Sequence, residues 1–117
     1  MADVTLYHNP NCSTSRKALD ILRGLEVDFE VVQYLKSPPD RRTLESVVRK
    51  LEDPAADLVR HDSHFKELGL DQADYETPRQ VVDLLLEHPR LMQRPVLVRD
   101  GHAIIGRPLE RVAPFVK

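Results

Sequence analysis

The sequence predicts an α/β fold: a mixed four-stranded sheet with flanking helices, its βαβ and ββα halves separated by a helical insertion. Three observations carry this reading. A β-rich run near the start is followed by a helix-period segment and a second β-rich run. Near the end, Asp100-Gly101 separates two more β-rich runs. Between the halves, residues 40–90 carry helix caps and helical spacing instead of strand alternation.

Each element has its own signal. Val4-Thr5-Leu6-Tyr7-His8 alternates and reads as the first strand, stopped by Asn9-Pro10-Asn11. A helix begins around Cys12-Ser13-Thr14, because Ala18, Ile21, Leu22 and Leu25 recur at one-face spacing, and Gly24 marks its end. A second strand runs roughly through Phe29-Glu30-Val31-Val32-Gln33-Tyr34. Strand, helix and strand make a crossover, hence a parallel pair.

Ser37-Pro38-Pro39 breaks the chain, and Asp40 is an N-cap candidate for a helix presenting Leu44, Val47, Val48 and Leu51 on one face. Residues 54–60 and 63–69 read as two short helices. Thr77-Pro78 opens another that ends near His88-Pro89. Val96-Leu97-Val98-Arg99 and His102-Ala103-Ile104-Ile105 flank Asp100-Gly101, a strong hairpin signal. Leu109, Val112, Ala113 and Val116 form a closing helix. The order is thioredoxin-like, and residues 1–117 read as a single domain.

Composition excludes several function classes. The 17 basic and 19 acidic side chains give a net charge of −2, so no global positive field draws the chain to nucleic acid or anionic lipid. The longest apolar runs are a few residues, far short of the ~20 a membrane span needs. Met1-Ala2-Asp3-Val4 lacks a secretory pattern. A cytoplasmic monomer is expected, with no bound cofactor. His61 and His64 could share a helix face, but no third ligand lies near them, so no metal site is expected.

The one cysteine carries the chemistry. Cys12 follows a strand and stands at the mouth of a helix, where unpaired N–H groups and the helix dipole favour a thiolate. Ser13, Thr14, Ser15, Arg16 and Lys17 add donors and charge, and His8 ends the strand aimed into the same turn. A buried filler cysteine would have aliphatic neighbours, and this one has polar ones. A dithiol exchange motif needs a second cysteine where Ser15 stands. A phosphatase-type loop needs an arginine where Ala18 stands. A monothiol nucleophile, resolved by an outside thiol, remains.

The run His8-Asn9-Pro10-Asn11-Cys12-Ser13-Thr14-Ser15-Arg16-Lys17 resembles the glutaredoxin-linked arsenate reductases, the ArsC family. The resemblance continues through Tyr34-Leu35-Lys36-Ser37-Pro38-Pro39, Leu58-Val59-Arg60, Lys66-Glu67-Leu68-Gly69-Leu70, Gln93-Arg94-Pro95-Val96 and Gly106-Arg107-Pro108. It implies a thioredoxin-like fold with a cis peptide before Pro95. It implies Cys12 as nucleophile, His8 lowering its pKa, and the Ser15 hydroxyl bonding the thiolate. Arg60, Arg94 and Arg107 would bind the oxyanion, and planar guanidinium forks suit tetrahedral oxygens. The implied partners are arsenate, glutathione as co-substrate, and glutaredoxin.

Two other readings stand beside arsenate reduction. One is a glutathione-dependent thiol reductase of this fold acting on a non-arsenate substrate. The other is a transcriptional regulator like the Spx proteins, which usually carry a CxxC switch; Ser15 in the second position disfavours it.

Overall fold

The computed structural model describes residues 3–117; the terminal reading at Met1-Ala2 lies outside them. Strand β1, Val4–His8, is the pivot of the sheet. It pairs in parallel with β2, Phe29–Gln33, and antiparallel with β3, Val96–Arg99. β3 pairs antiparallel with β4, His102–Ile105, giving the order β2-β1-β3-β4. The fold is the mixed α/β sheet read from the sequence. Asp100 takes φ 52° in the hairpin turn, a left-handed geometry that Asp and Asn tolerate better than bulky residues.

Alternation along β1 divides the core. Val4 and Leu6 face α1 (Ser13–Gly24) and α5 (Val112–Val116), packing with Ala18, Leu22, Leu97 and Val112. Tyr7 faces the other side, with Val96, Leu44, Val47, Val81 and Leu85. That second core is supplied by the insertion, chiefly α2 (Arg41–Lys50) and α4 (Pro78–Glu87). Asp40 caps α2 by accepting from Thr43 N–H at 2.8 Å. Thr77 and Gln80 form a reciprocal capping box on α4.

The remaining short helices depart from the sequence reading in detail. Residues 54–60 contain one 3-10 turn, Ala55–Leu58, and residues 63–69 contain α3, Ser63–Glu67. His61 precedes the α3 cap Asp62 and stands edge-on to the Phe65 ring at 4.9 Å, so His61 and His64 do not share a helix face. Leu109 belongs to a 3-10 turn, Leu109–Arg111, that runs into α5. Two further 3-10 turns, Gln72–Asp74 and Pro89–Leu91, had no sequence signal. Among the described residues no helix is long and apolar enough to cross a membrane.

The insertion is stitched to the sheet at two places. At the β4 edge, Glu52 N–H donates to Ala103 O at 2.9 Å, and Asp53 accepts from Ile105 N–H at 3.1 Å. Near β3, Arg60 N–H donates to Leu91 O and Gln93 N–H to Leu58 O, each at 2.7 Å.

Candidate active site

Sheet topology brings three segments to one end. β1 delivers His8 and the loop to Cys12. β3 runs antiparallel, so its entry, Arg94-Pro95, lies beside the end of β1. β4 leaves at that end through Ile105, which pairs with Val96, and leads to Gly106-Arg107. The peptides before Pro95 and Pro108 are both cis; only the first was expected. Gly106 sits against Pro95, and its N–H donates to Pro95 O at 2.8 Å.

Cys12 is the N-cap of α1 and is partly exposed. Burial pushes its pKa up, but the Ser15 N–H and the Arg94 and Arg107 guanidiniums outweigh that, so the thiol falls below its ordinary value. Arg107 Nη2 donates to Sγ at 3.4 Å, while its Nε donates to Arg94 O at 2.7 Å. The cap bond is not fully formed, yet the Ser15 amide faces the sulfur closely enough to favour the anion.

Ser15 departs from the expected role. Its hydroxyl accepts from Asn9 N–H at 3.0 Å and lies 2.6 Å from His8 Nδ1. It is fully buried: as the third residue of α1 its side chain turns into the core while its amide points out at the sulfur. We assign the hydroxyl proton to His8 Nδ1. His8 differs as well. Burial first, then Arg23 and Arg16, hold its pKa below 6.5, so the ring is neutral at pH 7. It braces the loop through Ser15, and the positive charge at the sulfur comes from arginines.

Arg60 reaches the neighbourhood through the 58–60 and 91–93 pairing but does not act on the sulfur. Its Nε pairs with Asp62 at 3.5 Å. Two guanidinium nitrogens, Arg60 Nη1 and Arg94 Nε, are buried without a hydrogen-bond partner among the described residues. Buried donors are rarely left so unless something else satisfies them. Arg94, Arg107 and Cys12 are thus in contact, and Arg60 keeps one buried donor without a partner among the described residues.

Sequence reasoning missed three residues. Asn9 is buried and its Oδ1 accepts from Asn11 N–H at 2.9 Å, shaping the loop. Tyr34, read only as core, is fully buried; burial raises its pKa against the opposing pull of Arg94 and Asn9 beside its hydroxyl. Asp62 caps α3 and also holds Arg60. An Asp before a short helix signals a cap, but nothing in the sequence links it to Arg60.

Comparison with known proteins agrees with this geometry. The ArsC family model matches residues 7–115. An arsenate reductase of Neisseria meningitidis is 38% identical over 114 residues, covering 96% of this chain and 97% of that protein. The uncharacterized protein YfgD of Escherichia coli is also 38% identical, covering 97% and 96%. An arsenate reductase structure from Vibrio cholerae superposes with a TM-score of 0.84 at 31% identity, covering 99% of this chain and 98% of that one. The chain belongs to the ArsC family.

Proposed function

We propose that this protein is an arsenate reductase. The observation that carries the reading is a thiolate stabilised by Arg94 and Arg107, with two buried guanidinium donors, Arg94 Nε and Arg60 Nη1, that have no partner among the described residues. A tetrahedral oxyanion supplies the acceptors they need. The Cys12 thiolate attacks arsenic(V) and an oxygen leaves as hydroxide, which takes up a proton. Arg94 and Arg107 balance the charge that develops, and Arg60 completes the anion site.

Glutathione resolves the adduct. Its thiolate attacks Cys12 Sγ, the sulfur–arsenic bond breaks, and the electron pair stays on arsenic, which leaves as arsenite. The two sulfurs, each oxidised by one electron, form a mixed disulfide. Glutaredoxin then takes the glutathione and frees Cys12. A lone thiol with this role suits the reducing cytoplasm, with the whole chain acting as one domain. A thiol reductase with another substrate is kept as a second reading, because YfgD, as similar as the Neisseria enzyme, is named without an activity.

NADPH oxidation coupled through glutathione reductase, glutaredoxin and glutathione tests both. The protein should add an arsenate-dependent rate, and Cys12→Ser should abolish it while leaving the circular dichroism spectrum unchanged. No arsenate-dependent rate with the intact protein would hand first place to the second reading.

A further inference from the structure

Cys12 is the only cysteine, so the thiol that resolves it must come from outside and be held beside Sγ. A partly enclosed hollow of about 250 Å³ adjoins the Cys12 loop. Asn9 and Asn11, from the loop that leads to the cysteine, line it together with His64 and Arg90. Arg94 lines the hollow and also acts on the sulfur, so it joins the two. Leu35, 40% exposed, also lines it.

The charge inside is one-sided. Asp62, the one carboxylate of the lining, is already paired with Arg60. Arg90 is exposed and joins no ion pair among the described residues. Two permanent cations therefore face a space large enough for one short arm of a ligand, too small for a whole peptide. An exposed guanidinium in the lining suits a carboxylate.

We propose that this hollow is the subsite for the external thiol, holding its carboxylate arm on Arg90 while its sulfur approaches Cys12. The proposal rests on the reading of Cys12 as a monothiol resolved from outside, and it selects anionic small thiols over neutral or cationic ones.

The test needs no arsenate. Dipyridyl disulfide converts Cys12 into a neutral thiopyridyl mixed disulfide. An added thiolate attacks Cys12 Sγ, the old sulfur–sulfur bond breaks, and the thiopyridine leaves with the electron pair, takes a proton and absorbs in the near ultraviolet. Rates with mercaptopropionate, mercaptoethanol and cysteamine are each divided by the rate on free cysteine carrying the same group. The wild type should prefer mercaptopropionate. Arg90→Gln should lower that preference about tenfold, the worth of roughly one charge-assisted hydrogen bond, and Arg90→Glu should turn it toward cysteamine.

Arg79→Gln, which removes the same charge from the first turn of α4, should leave the preference as it is. An unchanged preference in Arg90→Gln, or an equal loss in Arg79→Gln, would overturn the proposal. So would an Arg90→Gln variant that loses arsenate protection of Cys12 against alkylation while keeping its thiol preference, since the hollow would then belong to the oxyanion. A thiol preference without arsenate turnover would sink the arsenate reading alone.

Discussion

Replacing Gly106 by alanine probes the joint that holds the two arginine segments together. A Cβ there would lie 2.9 Å from Pro95 Cγ, 3.0 Å from Leu97 Cδ1 and 3.3 Å from Val112 Cγ2. Optimal carbon contacts begin near ~3.5 Å, so the closest is short by about 0.6 Å (3.5 − 2.9). The crowding atom belongs to a proline ring, which has no free arm to swing away. The Gly106 N–H bond to Pro95 O also resists separation. Overpacking of this kind costs about 1–3 kcal/mol, offset by about 0.4–1 kcal/mol from a less flexible unfolded chain. The net loss of about 1–2 kcal/mol should lower Tm by roughly 4–8 °C in a domain of this size. Because Pro95 follows Arg94 and Gly106 precedes Arg107, iodoacetamide should also alkylate Cys12 more slowly. Gly24→Ala is the control, since nothing lies within 4 Å of a Cβ there. Thermal melts in which Gly106→Ala matches or exceeds the wild type would refute the packing argument.

Other substitutions follow from the same geometry. Arg107→Lys keeps the charge but cannot hold Arg94 O and Cys12 Sγ together, so arsenate kcat/KM should fall at least about tenfold; unchanged kinetics would remove Arg107 from the anion site. The folded Cys12 thiol loses its proton before the unfolded one, whose ordinary value is 9.0. The unfolded state then binds more protons in that window, so stability should rise as pH climbs toward 9.0, and Cys12→Ser should lose this rise in urea titrations. Thr77→Ala removes the cap on Gln80 N–H and should cost about 1 kcal/mol in chemical denaturation without altering the alkylation rate of Cys12.

Sequence signals located the strands well, and the reason is physical. β3 and β4 are β-rich runs with an Asp-Gly turn between them, so local chemistry alone fixes their register. α1 and α4 were equally legible, since each has a breaker or cap and a clean apolar face. Short 3-10 turns such as Gln72–Asp74 are too brief to show a period. The site was legible as a set of residue types, not as a wiring. Ser15 has two hydrogen-bonding ends, and only coordinates reveal that the amide serves the sulfur while the hydroxyl serves His8 and Asn9. The charge state of His8 depends first on its burial, which no local spacing shows. The Arg60–Asp62 pair is local, yet no local signal shows that Nη1 is buried without a partner among the described residues.

The double stitching of the insertion bears on how the anion site operates. Arg60 rides on a segment whose backbone is clamped to residues 91–93 on one side, with Glu52 and Asp53 anchored to β4 on the other. Swinging that segment open as a flap would break those bonds together, a cost of about 1 kcal/mol for each. The backbone that carries Arg60 is therefore in place before any anion arrives, with the guanidinium paired to Asp62, so charge can develop without waiting for the segment to reorganise. Slow deuterium uptake at the Arg60 and Gln93 amides, close to that of the central strands, is the signature of such a preset site.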